Sequence, residues 1–182
     1  MQYKIFIIGN HNSDKLKIAK KLIEIDDNLS IASTFTNDKE YKDKVNDNYI
    51  YYLESEEIDL AYKNNVLLFV NTDNYISTGI TMDSLYSNDI FCMSIKDFNN
   101  ISNVVFNSKN YEVLVIWLDN KITEMNQSVR EDINESKYLF STLENLNYLY
   151  FLDETDEEIA STILEFVNAD EERQQEILLD NK

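Results

Sequence analysis

The 182-residue sequence has no proline, two glycines, one cysteine, one histidine, one tryptophan and two arginines, Arg130 and Arg173. Each shortage excludes something. A backbone that approaches a phosphate closely needs residues without a Cβ, so two glycines leave room for few phosphate-cradling loops. A lone Cys92 forms no internal disulfide, which suits a reducing compartment. With His11 the sole histidine, His-based metal clusters and a Ser-His-Asp triad have little to stand on. No apolar run approaches the ~18 residues that cross a bilayer. The run Tyr3 to Gly9 is too short for the apolar region of a signal peptide. These absences predict no membrane association and a cytoplasmic location, in the host cytoplasm or the virion if the source is viral.

Positive charge is also scarce: 16 Lys and Arg face 34 Asp and Glu, for a net charge of −18. That balance disfavours direct binding to nucleic acid or to an anionic membrane. It favours a basic protein partner, drawn in by electrostatic steering. It also fits an acidic protein that mimics nucleic acid and blocks a basic groove on a host protein. The abundant Asn, Ile, Lys, Asp and Tyr, with so little Gly and Pro, reflect AT-rich coding and point to a viral, bacteriophage or AT-rich microbial source. A hydrophobic fraction of 43% is enough for a packed core. The length fits one domain.

Along the chain, Tyr3 to Gly9 reads as a buried strand ended by a glycine. A polar loop follows, and Leu16, Ile18, Ala19, Leu22 and Ile23 then recur at helical spacing, with Ser13 or Asp14 placed to cap the first turn. Further strands are expected near Ser30 to Thr36, Tyr49 to Leu53, Val66 to Val70, Ile90 to Ile95, Val113 to Leu118 and Tyr148 to Leu152. Helices are expected at Ser55 to Asn64, near Thr81 to Tyr86, within Lys121 to Leu146 and at Asp156 to Val167. The alternation predicts an α/β fold with a mainly parallel sheet. Residues 1–168 form the domain on this reading. Residues 169–182 form an acidic helical tail whose apolar patch, Ile177 to Leu179, could anchor a partner.

The segment Gly9-Asn-His-Asn-Ser-Asp14-Lys15-Leu16 has the frame of a phosphate-binding loop, Gly-x4-Gly-Lys-[Ser/Thr], in the strand-loop-helix context that such a loop needs. Gly9 and Lys15 match the frame. Asp14 puts a carboxylate where backbone N–H groups should meet phosphate, and Leu16 replaces the hydroxyl that would hold magnesium. Asp97 and Asp119 follow apolar strands as a magnesium-holding acid would, a placement that ordinary helix capping also explains.

From Tyr3 to about Val167 the order of motifs resembles the guanylate kinase family. Glu24 to Thr36, Asn48-Tyr49-Ile-Tyr, Glu56-Glu57-Ile58, Asn65 to Val70 and Asn74-Tyr75-Ile-Ser-Thr78 are similar to that family's successive stretches. The resemblance implies a three-layer P-loop fold with a mainly parallel central sheet, its strands near Tyr3 to Ile8, Ile31 to Phe35, Ile90 to Ile95, Val113 to Leu118 and Tyr148 to Leu152. It assigns Ser33, Tyr49 and Thr78 to hydroxyl positions of a monophosphate site. The two phosphate-holding arginines fall on Asn37 and Glu40, the guanine-reading Glu on Phe69, a second Tyr on Ile76 and an Asp on Ser94. Lys96 stands where a further acid is expected. Arg130 lies where the family's lid supplies arginines. Without the two arginines the bidentate phosphate contacts are missing, and Glu40 adds repulsion there. The resemblance therefore implies a catalytically inactive guanylate-kinase-like domain without a cofactor, acting as a protein-interaction or structural module, and the composition adds that it is a virion or accessory component of a virus or bacteriophage. Its alternatives are a divergent nucleoside-monophosphate kinase using ATP and magnesium, and the nucleic-acid mimic.

Overall fold

The apolar run at the start of the chain forms β1 (Tyr3–Gly9), an inner strand of a parallel sheet. The computed structural model describes residues 3–9, 13–43, 49–73, 75–106, 111–119, 134–139, 143 and 146–181. They form two compact units, one built from residues 1–30 and 90–182 and the other from residues 31–89. The backbone N–H of Ile90 donates to the carbonyl of Ser30 at 2.9 Å, so the chain leaves the first unit and re-enters it at adjacent points.

In the first unit β1 lies between β6 (Ile90–Ser94) and β7 (Glu112–Asp119), and β8 (Asn147–Leu152) completes the order β6-β1-β7-β8. Every pairing is parallel. The near-continuous apolar character of these strands suits a sheet covered on both faces. Side chains alternate across the sheet, and the ring contacts show what covers each face. Phe6 stacks on Phe91 at 4.7 Å and meets Phe98 of α4 (Ile95–Phe106) at 5.5 Å. On the opposite face, Tyr3 meets Phe166 of α5 (Asp156–Asn168) edge-on at 5.7 Å. The same face receives α1 (Lys15–Ile25), which buries Ile18, Ala19 and Leu22 and packs along α5. Lys17 and Lys21 of α1 pair with Asp156 and Glu157 of α5. The arrangement is helix, parallel sheet, helix. Residues 134–139 are helical as well.

Thr155 opens α5 with a capping box: its Oγ1 accepts from Glu158 N, and Glu158 Oε2 accepts from Thr155 N. At α1, Asp14 occupies the N-cap position, but its side chain makes no capping hydrogen bond.

The tail residues Glu171–Asp180 form α6, which packs on α5 and β8. Ile177 and Leu178 are buried within this unit. The apolar patch expected to meet a partner is thus largely used by the chain itself, leaving Leu179 exposed. Gln174 Nε2 donates to the carbonyls of Phe166 and Ala169, and Asn181 O accepts from Tyr150 N of β8.

The second unit holds a small mixed sheet, ordered β3 (Ile50–Tyr52), β2 (Thr34–Thr36), β5 (Ile76–Thr81), β4 (Leu67–Asp73). β2 runs parallel to β3 and antiparallel to β5. The expectation that Ile31 to Phe35 joins the core parallel sheet is therefore corrected. The strand there is Thr34–Thr36, and it belongs to this other sheet. The apolar Ile31 and Ala32 are buried outside the strand, and within it the buried residue is Thr36. Helix α2 (Ser55–Lys63) packs on β4, and the short helix α3 (Ser84–Ser87) follows β5. Ile95, expected to end a strand, starts α4.

Candidate functional site

Open parallel sheets bind ligands in the crevice outside the carboxyl ends of their strands. Here β1 ends at Gly9, in register with Ser94 of β6 and Leu118 of β7. Gly9 is required by space: a Cβ on it would lie 2.5 Å from Ser13 Oγ and 2.6 Å from Leu118 O. Residues 10–12, His11 among them, lie outside the described residues. Where the chain is described again, Lys15 Nζ donates to Ser13 Oγ at 2.9 Å and to Gly9 O at 3.4 Å, so the ammonium folds back over the strand end. Asp14 is exposed at the start of α1, and Leu16 is half-buried.

The neighbouring strand ends carry their own polar groups. Ser94 Oγ accepts from Asp97 N at 3.1 Å, the bond of an N-cap to the third residue of a helix. Ser94, where the resemblance puts an Asp, thus caps α4, and the buried Asp97 lies in that helix's first turn, where the dipole favours a carboxylate. Asp119, at the end of β7, accepts from Tyr150 OH at 2.9 Å. Burial, and then this bond to Asp119, push the Tyr150 phenol up to about 12. Among the described residues no group of three or more His, Cys, Asp or Glu is placed to hold a metal ion.

Cys92 lies on β6, where its Sγ–H donates to Lys15 O of α1 at 3.5 Å. Burial pushes the thiol up to about 12. The thiolate is the reactive form, so alkylation of the folded protein at pH 8 should run at least ~100-fold slower than alkylation in denaturant. Mass-resolved iodoacetamide labelling measures the ratio, and near-equal rates would place Cys92 in an open environment.

The second unit holds the three hydroxyl residues. Thr34 N donates to Tyr49 O at 2.7 Å, which sets Tyr49 beside Ser33 at one end of β2 and β3. Thr78 pairs with Thr36 and Asn71 instead, about 10 Å further along at ~3.3 Å per residue. The register therefore groups Ser33 with Tyr49 and sets Thr78 apart.

Asn37 and Glu40, on the arginine positions, have local roles. Glu40 N donates to Asp38 Oδ1 in a single 3-10 turn, Lys39–Tyr41. Asn37 joins three segments: its Nδ2 donates to Ser55 Oγ at 2.7 Å and to Tyr75 O at 3.2 Å, and its Oδ1 accepts from Ser77 N at 2.6 Å. Only the fold shows this clamp, because its partners lie 18 to 40 residues away in sequence. Asn37→Ala should cost about 1–2 kcal/mol, for a lost amide that leaves the Ser77 N–H unsatisfied. Urea denaturation measures the cost, and an unchanged midpoint would contradict the clamp. Arg130 lies outside the described residues.

No protein-family model and no curated protein sequence matches this chain. Solved structures do match. Guanylate kinase from Anaplasma phagocytophilum superposes on it with a TM-score of 0.59 at 15% identity, covering 91% of this chain and 84% of that one. The fold is that of guanylate kinase. In this guanylate-kinase-like P-loop fold β1 ends at Gly9 and α1 begins at Lys15. No helix among the described residues is long and apolar enough to cross a membrane.

Proposed function

We propose that the chain is a non-catalytic guanylate-kinase-like domain that works as a protein-interaction or structural module, with a basic protein as its partner and a virion or phage accessory role. The observation that carries this reading is Asn37. On a position where the resemblance puts a phosphate-holding arginine, it commits both amide hydrogens and its oxygen to Ser55, Tyr75 and Ser77. The P-loop frame agrees with it. Asp14 brings a negative charge to the phosphate side of the turn and Leu16 has no hydroxyl for a metal, so these residues do not fit magnesium nucleotide. The net charge of −18 favours a basic partner through steering.

A second reading is favoured by one feature: Gly9 and Lys15 keep the close turn and the cation of a nucleotide-binding loop. On that reading the chain is a divergent nucleoside-monophosphate kinase. Calorimetric titration with ATP-magnesium and GMP separates the two. The module reading expects no saturable heat and no ADP; micromolar binding with ADP formation would overturn it. Asp14→Gly with Leu16→Thr should not create activity, because Asn37 and Glu40 still lack the arginine forks.

A further inference from the structure

Three non-glycine residues among those described have positive φ: Asn65 at 56°, Tyr75 at 69° and Asp153 at 70°. Short polar side chains tolerate this left-handed region, and a bulky aromatic does not. No burial of the ring offsets this strain, since Tyr75 is 95% exposed at the end of the β4–β5 hairpin. Glycine would serve the turn better. The neighbouring Ile76 is exposed too. Asn37 holds the backbone on both sides of Ile76, at the Tyr75 carbonyl and the Ser77 N–H. Strain and exposed apolar area on a hydrogen-bonded support mark a residue suited to an encounter rather than to folding.

The charge beside the tip says what it meets. Asn37 also binds Ser55, the first residue of α2, so the exposed Glu54, Glu56 and Glu57 lie around the same clamp. Lys42 pairs with Glu54 and offsets one of them. We infer that Tyr75 and Ile76 are the anchor of a docking surface for a protein segment that presents an apolar pocket or side-chain pair rimmed by Lys and Arg. This deepens the module reading and names its contact point. A rigid aromatic loses little entropy on docking, and tyrosine is a frequent energetic centre of interfaces. A second copy of this chain fits poorly, since each copy carries −18.

The test is selection of a random-peptide display library on the immobilised full chain, followed by fluorescence anisotropy of the enriched peptides. The variants are Tyr75→Gly, Tyr75→Asn, Ile76→Thr and, as a control at another exposed tyrosine, Tyr86→Ala. The expected result is enrichment of peptides with Lys or Arg around apolar residues. Their affinity should fall at least ~10-fold for both Tyr75 variants and hold for Tyr86→Ala. Circular dichroism should show both Tyr75 variants folded, because glycine and asparagine accept the left-handed backbone. No enrichment, peptides without basic residues, or affinities within ~2-fold across Tyr75 variants would overturn the inference. So would loss of the folded signal in both variants, which would make Tyr75 structural. Nucleotide titration is independent of these readouts, so ATP turnover could sink the non-catalytic reading while the docking surface stood.

Discussion

Phe6→Ala should lower the unfolding free energy by about 3–5 kcal/mol, the usual cost of removing a buried phenyl ring. Phe6 is fully buried on β1, its ring stacked on Phe91 and tilted against Phe98 of α4. Its removal leaves a void bounded by a sheet on one side and a helix on the other, neither of which collapses easily. Total stabilities of such domains are about 5–15 kcal/mol, so the variant should stand near its limit at 37 °C. Urea denaturation followed by circular dichroism gives the value. A loss below ~1 kcal/mol would mean that the α4 face of the sheet is not tightly packed.

Gly9→Ala should cost about 2–3 kcal/mol, in the range of overpacking a tight site. The added Cβ meets Ser13 Oγ, which can rotate, and Leu118 O, which cannot. That carbonyl belongs to β7, whose parallel pairing with β1 runs the length of the strand. The melting temperature should fall by about 5–10 °C at the usual sensitivity for a chain of this size. Adding Ser13→Ala should recover only part of the loss, because the backbone oxygen stays in place. Full recovery would show that the crowding comes from the serine alone. Since the clash is at the turn, the prediction holds whether or not the loop binds a nucleotide.

The core sheet was legible because its strands are short, β-branched and apolar on both faces, as in Ile5-Phe6-Ile7-Ile8 and Leu114-Val115-Ile116. Such runs announce a buried parallel strand without naming its neighbours. The second sheet was harder to read. Ser33-Thr34-Phe35-Thr36 has the composition of a strand, and that composition does not say which sheet the strand joins. The β4–β5 hairpin was hidden because Tyr75 holds the position where a glycine would have announced a turn. At the site, Gly9, Asp14, Lys15 and Leu16 were readable from spacing. Asn37 was not, since an Asn where the resemblance puts an arginine says nothing about its own bonds, and the partners of Asn37 come together only when α2 and the hairpin are in place. The role of Ile177 and Leu178 was open for a similar reason. An apolar patch on a helix has the same sequence whether it meets another protein or the chain's own β8.

The hydrogen bond between Ile90 N and Ser30 O has a further consequence. It ties together the two points between which residues 31–89 are inserted, so the parallel-sheet unit experiences the whole insertion as a loop with its ends already joined. Closing such a loop becomes only about 0.6 kcal/mol harder for each doubling of its length. The smaller unit can therefore gain or lose residues, and so reshape its hairpins and helix, at almost no thermodynamic cost to the sheet that carries it. Changes of length and shape are cheapest to try there.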